Sequence, residues 1–445
     1  MTRSVAIRAP LRTALLATLA AAFAAGRPAL AQSTFHGDNA RTGVYAAPGP
    51  ATFGGVAWTF KAGGPIVASP TLADGVVYIS SLDRRLYAVD QETGKEKWTF
   101  ESRMPIASSP AIADGAVYFV SSTGSLAALD AATGSPKWVF AAEYERRFEA
   151  PGLHGYPPAK QTIPDAWDLF TSSPAAAGGK VYFGCGDGNV YAVDAATGLL
   201  QWKFPTGGVV HASPAVVKGV VYVGSWDGRL YAIDAETGLQ RWAFQTGEDP
   251  VAHNQVGFQS SPAVVNGVVY VGCRDAHVYA VDAATGRKKW DYPTSKSWVI
   301  GTPAVRDGVV YAGTSDTARF MALDAKSGRL RWNATANGYI FSSPALAGGL
   351  AYFGDHSGTL HAVDLKSGRT AWQFRTDAAK ADPLRVLNAD GTLNRAGFTP
   401  VFHDFQDMYV DFYRFVSIGA IMSSPVVDRG TVYVGSLDGN LYAIR

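Results

Sequence analysis

The sequence predicts an all-β fold, an eight-bladed β-propeller built from four-stranded antiparallel blades. A unit of about forty residues recurs along the chain, and one complete copy runs from Ser213 to Trp242. In this copy a Ser-Pro pair opens a short extended segment, and two β-branched runs flank the Asp227-Gly228 pair that favours a tight hairpin. A second turn at Thr237-Gly238 leads to a last strand at Trp242. Four short strands at this period are typical of a propeller blade.

Eight copies can be counted from the Ser-Pro or Thr-Pro pair that opens each one. These pairs begin at Ser69, Ser109, Ser173, Ser213, Ser261, Thr302, Ser343 and Ser424. The eighth copy ends at Arg445 without the tryptophan that closes the other seven, whereas Trp58 lies in a strand-like segment that has no copy before it. We therefore expect the N-terminal strand to pair with the last blade, which closes the ring and covers an edge that would otherwise promote aggregation.

Residues 1–31 have the pattern of a secretory signal peptide, with arginines, an apolar run and the cleavage site Ala29-Leu30-Ala31. We expect cleavage after Ala31 and a periplasmic or secreted mature protein, with an uncut membrane tether as the alternative. No cysteine follows the cleavage site to carry a lipid, and no later apolar run is long enough to span a bilayer, so we expect no transmembrane segment in the mature chain. Residues 32–55 form a lead segment expected to lie over one face of the ring, and residues 56–445 form the propeller.

The formal net charge of the full chain is +2 at pH 7. The signal peptide carries arginines and no acids, so its loss leaves a charge of about −2. Nucleic acids and anionic membranes require a basic face, and a near-neutral chain argues against both partners. The repeats place most of the length in one ring, for which we expect a monomer.

The spacing between successive Ser/Thr-Pro pairs is 40 or 41 residues, except for three spacings of 64, 48 and 81 residues. The extra residues form insertions at 141–170, 248–258 and 376–420. Each insertion joins the outer strand of one blade to the inner strand of the next, which places all three on the face that carries the Asp-Gly hairpin tips. Loops on a rigid scaffold often carry function, so we expect a protein or small-molecule ligand to bind this face. The first insertion is expected to be irregular, with Trp167 as an anchor.

Three polar residues stand at the predicted mouth of the central channel. His211 and Gln259 replace mostly apolar or small residues before the inner strands, and Arg274 replaces leucine or tryptophan at a hairpin tip. These side chains could converge on an anionic or hydroxylated ligand. Further ligand-binding candidates from the hairpin tips are Trp226, Asp275, Asp355 and His356. The alternative for each of them is a solvated turn residue.

The third insertion contains His403, Asp407 and Asp411 at a spacing that aligns them on one face of a helix. Such a face could hold a divalent metal, but we favour a solvated helix face because ligands two turns apart rarely reach one ion. The same segment is rich in aromatic residues, which predicts either a lid packed on the ring or an exposed partner-binding patch. These aromatic residues are Phe398, Phe402, Phe405, Tyr409, Phe412, Tyr413 and Phe415.

The repeat, with its Val-Tyr strand, Asp-Gly tip and Ala-x-Asp-x-x-x-Gly-x-x-x-Trp end, resembles the pyrroloquinoline-quinone (PQQ) repeat. This repeat is shared by eight-bladed quinoprotein alcohol dehydrogenases and by the propeller lipoprotein of the bacterial outer-membrane barrel-assembly machinery. The resemblance implies structural tryptophans that each dock on the next blade. The residues that match this docking position are Trp58, Trp98, Trp138, Trp202, Trp242, Trp290, Trp332 and Trp372.

The resemblance implies two functions. Quinoprotein dehydrogenases carry an adjacent cysteine pair over PQQ and a calcium site, but this sequence has no Cys-Cys pair and no Cys-x-x-Cys-His haem motif. We therefore favour a non-catalytic binding or scaffold protein that acts through the inserted face. The alternative is a small quinoprotein-like oxidoreductase that binds PQQ and a divalent metal at the channel mouth. The sequence establishes no cofactor, although PQQ with calcium is possible, and it assigns no catalytic residue.

The two cysteines, Cys185 and Cys273, occupy the same position in the third and fifth copies. Equivalent points two blades apart in an eightfold ring are a quarter-turn apart, which separates them by roughly 14 Å against a disulfide limit of about 7 Å between Cα atoms. We therefore expect two separate, mostly buried thiols.

Overall fold

The computed structural model describes residues 33–151, 162–165, 167–247, 257–398 and 405–445. The predicted signal peptide and most of the second insertion lie outside these residues. The described chain forms eight four-stranded antiparallel blades, which confirms the all-β, eight-bladed propeller, and the sheet of the seventh blade gains a fifth, parallel strand from the lead segment. Each sheet has an inner, a second, a third and an outer strand.

The strands follow the repeat in the sequence. The inner strands are Thr71–Ala73, Ala111–Ala113, Ala175–Ala177, Ala215–Val217, Ala263–Val265, Ala304–Arg306, Ala345–Ala347 and Val426–Asp428. The second strands are Val76–Ser80, Ala116–Val120, Lys180–Gly184, Val220–Gly224, Val268–Gly272, Val309–Gly313, Leu350–Gly354 and Thr431–Gly435. The third strands are Arg85–Asp90, Leu126–Asp130, Asn189–Asp194, Arg229–Asp234, His277–Asp282, Arg319–Asp324, Thr359–Asp364 and Asn440–Ile444. The outer strands are Glu96–Glu101, Pro136–Phe140, Leu200–Pro205, Gln240–Gln245, Lys288–Pro293, Leu330–Thr335, Thr370–Arg375 and, for the last blade, Val56–Lys61.

The core lies between neighbouring blades. Second strands such as Val220–Gly224 are buried along their whole length, because both faces of a blade pack against other blades. Outer strands such as Gln240–Gln245 alternate between exposed and covered residues, as expected of a strand with one wet face.

The N-terminal strand closes the ring as predicted. Val56–Lys61 pairs in antiparallel register with Asn440–Ile444 and supplies the missing outer strand of the eighth blade. The indole N–H of Trp58 donates to the carbonyl of Gln91 at 3.1 Å. The first and last blades are thereby joined by the same contact that joins every other pair.

The eight predicted tryptophans all dock on a neighbour. Each indole N–H donates to a backbone carbonyl at 2.9–3.1 Å. The glycine of the motif makes room for the ring: a Cβ on Gly238 would lie 2.8 Å from Trp202, and the φ of +73° at Gly238 favours glycine as well. The eighth blade lacks the glycine turn on which the other tryptophans dock, because its third and outer strands come from opposite ends of the chain. The indole N–H of Trp372 therefore donates to the carbonyl of Pro50 in the lead segment.

The lead segment crosses the inner strands on the face opposite the hairpin tips. Four successive inner strands, those of the fourth to seventh blades, donate backbone hydrogen bonds to this segment. The donors are Val216, Val264, Val305 and Leu346, and the accepting carbonyls are those of Asn39, Ala40, Thr42 and Gly43. Its short strand Val44–Tyr45 pairs in parallel with Ala345–Ala347. These bonds satisfy the inner edges of the blades, which would otherwise be unpaired.

Arg41 of the lead segment enters the channel and is fully buried. Its guanidinium donates to the carbonyls of Pro214, Phe35 and Ser173. The serines of the Ser-Pro pairs form hydrogen bonds from one blade to the next around the channel. For example, the backbone N–H of Ser213 donates to the hydroxyl of Ser261 at 2.8 Å. The lead segment therefore fills one end of the channel.

Both cysteines are free and buried, as predicted. The thiol of Cys185 donates to the carbonyl of Tyr144 at 3.2 Å. Burial, together with the nearby carboxylates of Glu145 and Asp275, raises the pKa of Cys185 and of Cys273 respectively. Neither thiol is therefore poised as a thiolate nucleophile.

The insertions have more regular structure than the sequence indicates. The first was expected to be irregular, but it contains a two-stranded antiparallel ribbon of Glu149–Pro151 and Thr162–Pro164. The third contains helix α1 (Asp377–Ala381), a 3-10 turn at Arg395–Gly397 and helix α2 (Phe405–Ser417). Among the described residues, no helix has the length and hydropathy needed to cross a bilayer.

Candidate functional site

The first insertion reaches the mouth of the channel and places carboxylates there. Asp165 and Asp168 are both buried, with exposed fractions of 1% and 2%. Glu145, near the start of the same insertion, contacts Nε2 of His211. These three acids contact His211 of the fourth blade and Arg274 of the fifth.

Arg274 forms a fully buried ion pair with Asp165. Two guanidinium nitrogens donate to the two carboxylate oxygens at 2.8 and 3.1 Å, and both side chains have an exposed fraction of 0%. The guanidinium lies between the rings of Trp226 and Trp298, at 4.4 and 4.1 Å from their centroids. Gln259 accepts from the third nitrogen at 2.9 Å. This planar, bidentate and stacked geometry is specific to arginine.

His211 is held between two carboxylates. Its Nδ1 lies 2.7 Å from Asp168 and its Nε2 lies 2.6 Å from Glu145. Burial lowers the pKa of His211, but the two carboxylates more than reverse this effect and raise it to about 10. The side chain is therefore an imidazolium at neutral pH, and both of its N–H groups donate within the chain.

The His211 contact predicts a stability that falls as pH rises. In the unfolded chain a histidine titrates near pH 6.5, so the folded state binds one more proton between pH 6.5 and about 10. The stabilisation is complete below pH 6.5 and is lost across this window, by roughly 1.4 kcal/mol per pH unit. Urea unfolding at pH 6.5, 7.5 and 8.5 measures it, with His211→Asn as the control that lacks the titration. An equal pH dependence in the two proteins would contradict the assignment.

His211, Gln259 and Arg274 lie together at the channel mouth, where all three contact residues of the first insertion. Gln259 accepts from Arg274 and donates to the carbonyl of Trp167 at 2.7 Å. The cationic groups that a bound anion would need already contact Asp165, Asp168 and Glu145. The first insertion thus occupies this end of the channel as an internal ligand.

The other hairpin-tip candidates are buried rather than solvated. Trp226 stacks on Phe148 of the first insertion at 4.1 Å between ring centroids. Asp275 accepts a short hydrogen bond from the hydroxyl of Tyr279 in its own hairpin. These contacts stabilise the tip and the insertion above it.

The last two candidates, in the seventh blade, are also buried. Asp355 lies 2.8 Å from Nε2 of His361 and accepts from the backbone N–H of Asn337 at 2.9 Å. The Nδ1–H of His356 donates to the carbonyl of Tyr339 at 2.8 Å, and burial lowers the pKa of His356 to about 4. These contacts make Asp355 a structural hub of its tip and His356 a neutral member of an aromatic cluster.

The metal candidates lie only partly in the described chain. His403 and the side chain of Asp407 fall outside it. Asp411 lies on α2, where it is buried rather than solvated, and its carboxylate is 3.8 Å from Arg414. Within the described ranges, no group of three or more His, Cys, Asp or Glu side chains is arranged to hold a metal ion.

The third insertion is both a lid and an exposed patch. Phe415 is fully buried, stacks on Phe398 at 4.8 Å, and meets Trp167 of the first insertion at 5.8 Å between ring centroids. Tyr409 and Tyr413 have exposed fractions of 66% and 64%. The two insertions therefore meet over the channel while one side of α2 remains open.

A cavity of about 410 Å³ lies between the two insertions and residues of the first four blades. Its lining residues include His211 and Asp168 at the channel mouth and Tyr409 and Phe412 of α2. Below it, between the inner strands, the channel holds a space of only about 50 Å³, with Phe35 of the lead segment among its lining residues.

Sequence reasoning missed the acidic partners at the mouth. Asp165, Asp168 and Glu145 belong to an insertion whose path cannot be read from repeat periodicity. A signal was present: two buried cations on a propeller face need carboxylates, and this insertion supplies an Asp-x-x-Asp pair beside Trp167.

The residues at the mouth do not fit a PQQ site. PQQ is a planar tricarboxylate, so its binding requires several converging cations that have no other carboxylate partner, more than the two exposed arginines Arg146 and Arg147 supply. In this protein Arg274 and His211 already form ion pairs with carboxylates of the first insertion. We therefore derive no chemistry through a quinone.

Eight four-stranded blades, docking tryptophans and a channel capped by insertions define a PQQ-repeat propeller. The chain belongs to the family described as outer membrane protein assembly factor BamB, whose profile matches residues 43–149 and 158–374. A second profile, described as the β-propeller domain of glucose, ethanol and alcohol dehydrogenases, matches residues 101–211. No curated protein sequence matches the chain.

Solved structures show the same fold at low sequence identity. BamB from Moraxella catarrhalis is 19% identical with a TM-score of 0.61, over 88% of this chain and 97% of that one. Quinohemoprotein alcohol dehydrogenase from Comamonas testosteroni is 16% identical with a TM-score of 0.65, over 92% and 80%. The computationally designed Ika8 protein is 14% identical with a TM-score of 0.64, over 88% and 99%. The fold is therefore compatible with binding and with oxidoreductase functions.

Proposed function

We propose that this protein is a binding scaffold that engages a protein partner through its inserted face. The main support for this proposal is that the buried ionisable groups at the channel mouth form ion pairs with one another. Arg274 and His211 stabilise the first insertion through Asp165, Asp168 and Glu145. Ion pairs of this kind hold the first insertion in place, whereas a catalytic site needs ionisable groups that can contact a substrate.

The partner surface that we propose is the open side of α2. Tyr409, Val410 and Tyr413 lie on this side, with exposed fractions of 66%, 46% and 64%. Large exposed aromatic residues on a helix that is anchored from below are typical of protein-binding patches. Phe415 supplies the anchor, because it is fully buried against the ring.

We also propose that residues 1–31 are a signal peptide cleaved after Ala31 and that the mature protein is a periplasmic or secreted monomer. The apolar run and the Ala-x-Ala pattern support the cleavage. Family membership supports a location beside a membrane-assembly partner. The domain boundaries at 55 and 56, and the insertions at 141–170, 248–258 and 376–420, belong to the same proposal.

Site-specific photo-crosslinking in the source organism tests the binding function. A photoreactive phenylalanine analogue at Tyr413 is expected to give one discrete protein adduct, and the same analogue at Lys218, an exposed turn on the opposite face, is expected to give none. Val410→Asp should weaken the adduct at position 413, since it places a charge in the patch. Equal adducts at both positions, or no adduct at 413, would contradict the proposal.

Titration with PQQ and calcium, followed by visible absorption, separates this function from the oxidoreductase alternative. We expect no stoichiometric complex, because the mouth cations already contact carboxylates. A tight one-to-one complex would favour the oxidoreductase and overturn the scaffold assignment.

A further inference from the structure

The cavity between the insertions has features that protein binding at α2 does not use. Its volume of about 410 Å³ lies in the range of small-molecule sites. Most of its wall is apolar, and six of the side chains that form this wall are Val67, Leu82, Met104, Ala107, Leu169 and Phe412. The cavity is therefore suited to a mainly hydrocarbon ligand.

Two exposed arginines, Arg146 and Arg147, are among the residues that line the cavity. The guanidinium of Arg147 has no hydrogen bond or ion pair within the described part of the chain. His211 is also cationic, but the two carboxylates of Asp168 and Glu145 outweigh its single charge. The net charge of the described lining groups is thus positive, and the excess comes from the two arginines.

We propose that this cavity binds an aliphatic monocarboxylate, a medium-chain fatty acid whose carboxylate meets Arg147 and Arg146. An arginine guanidinium forms strong, bidentate hydrogen bonds with a carboxylate. The apolar wall covers the alkyl chain, and each buried methylene adds to the affinity. A chain of about eight to twelve carbons suits a cavity at the small end of the usual range.

A peptide is a poorer match to the same wall. Its backbone N–H and C=O groups need partners when they are buried. Apart from the charged groups, the polar side chains that line the cavity include only Ser122, Thr171 and Tyr409. An alkyl chain needs no such partners, so the wall favours a fatty acid.

Calorimetric titration of the full mature protein with decanoate tests the site. Decanoate is expected to bind one to one, and decanol, which has the same chain without the charge, is expected to bind at least about tenfold more weakly. Arg147→Gln should weaken decanoate by about tenfold or more. Met104→Glu should also weaken it, because the change places a like charge in the wall.

Arg103→Gln is the matched control, since Arg103 is exposed and adjoins Met104 but does not line the cavity. Its decanoate affinity should equal that of the unmodified protein, and unchanged thermal unfolding of all variants excludes misfolding. Equal binding of decanol and decanoate, no effect of Arg147→Gln, or tighter binding of an apolar peptide with a free C-terminus would each overturn the proposal. The outcome is independent of the adduct at Tyr413, so the two proposals can fail separately.

Discussion

Deletion of residues 51–60 is expected to open the ring, lower the melting temperature and cause the protein to associate. The deletion removes the outer strand of the eighth blade, which pairs with Asn440–Ile444. It also removes Trp58, and loss of a large docked aromatic side chain costs about 3–5 kcal/mol. A decrease of about 5 °C or more in melting temperature is expected, together with oligomers in size-exclusion chromatography with light scattering, because the third strand becomes an unpaired edge.

Trp58→Phe is the control for this deletion. It retains the strand and removes the hydrogen bond from the indole N–H to Gln91, which is expected to cost about 1 kcal/mol without association. The equivalent change Trp98→Phe, inside the ring, should cost a similar amount because its hydrogen bond to Ala131 has the same length, 3.1 Å. A deletion variant that stays monodisperse and melts at the original temperature would show that Val56–Lys61 does not close the ring in solution.

Replacement of Arg274 by methionine is expected to destabilise the protein by about 3–5 kcal/mol, because it leaves the carboxylate of Asp165 buried without its cation. Asp165→Leu should have a comparable effect on the free energy of unfolding, since it leaves the guanidinium buried. The double variant should cost much less than the two single variants together, because neither charge then remains unpaired. Urea unfolding of the four proteins gives the coupling free energy.

The exposed pair of Arg84 and Glu101 provides the matched control. These side chains are 52% and 51% exposed and lie 2.9 Å apart, so Arg84→Met should cost less than about 1 kcal/mol. Additive effects of the Arg274 and Asp165 substitutions would mean that the first insertion is not held to the mouth by this pair.

The sequence determined the ring because the contacts that build it are local and repeated. The Ser-Pro pair, the Asp-Gly tip and the tryptophan motif each recur at one period. Each repeat therefore folds as the same four-stranded sheet and buries its apolar faces by packing against the next repeat. The blade count, the closure by Val56–Lys61, the docking of Trp58 and the separation of the two thiols all follow from that period.

The contacts of the polar residues at the channel mouth are visible only in the folded protein. His211, Gln259 and Arg274 were identified because they depart from the repeat, but their partners lie in an insertion that has no repeat and approaches from 43 to 109 residues away in sequence. Asp165 and Asp168 convert a predicted anion site into an internal ion-pair network, and Pro50 replaces a docking turn that the eighth blade lacks. Periodicity carries no information about such contacts, because the path of a long loop depends on burial and charge pairing across the whole face.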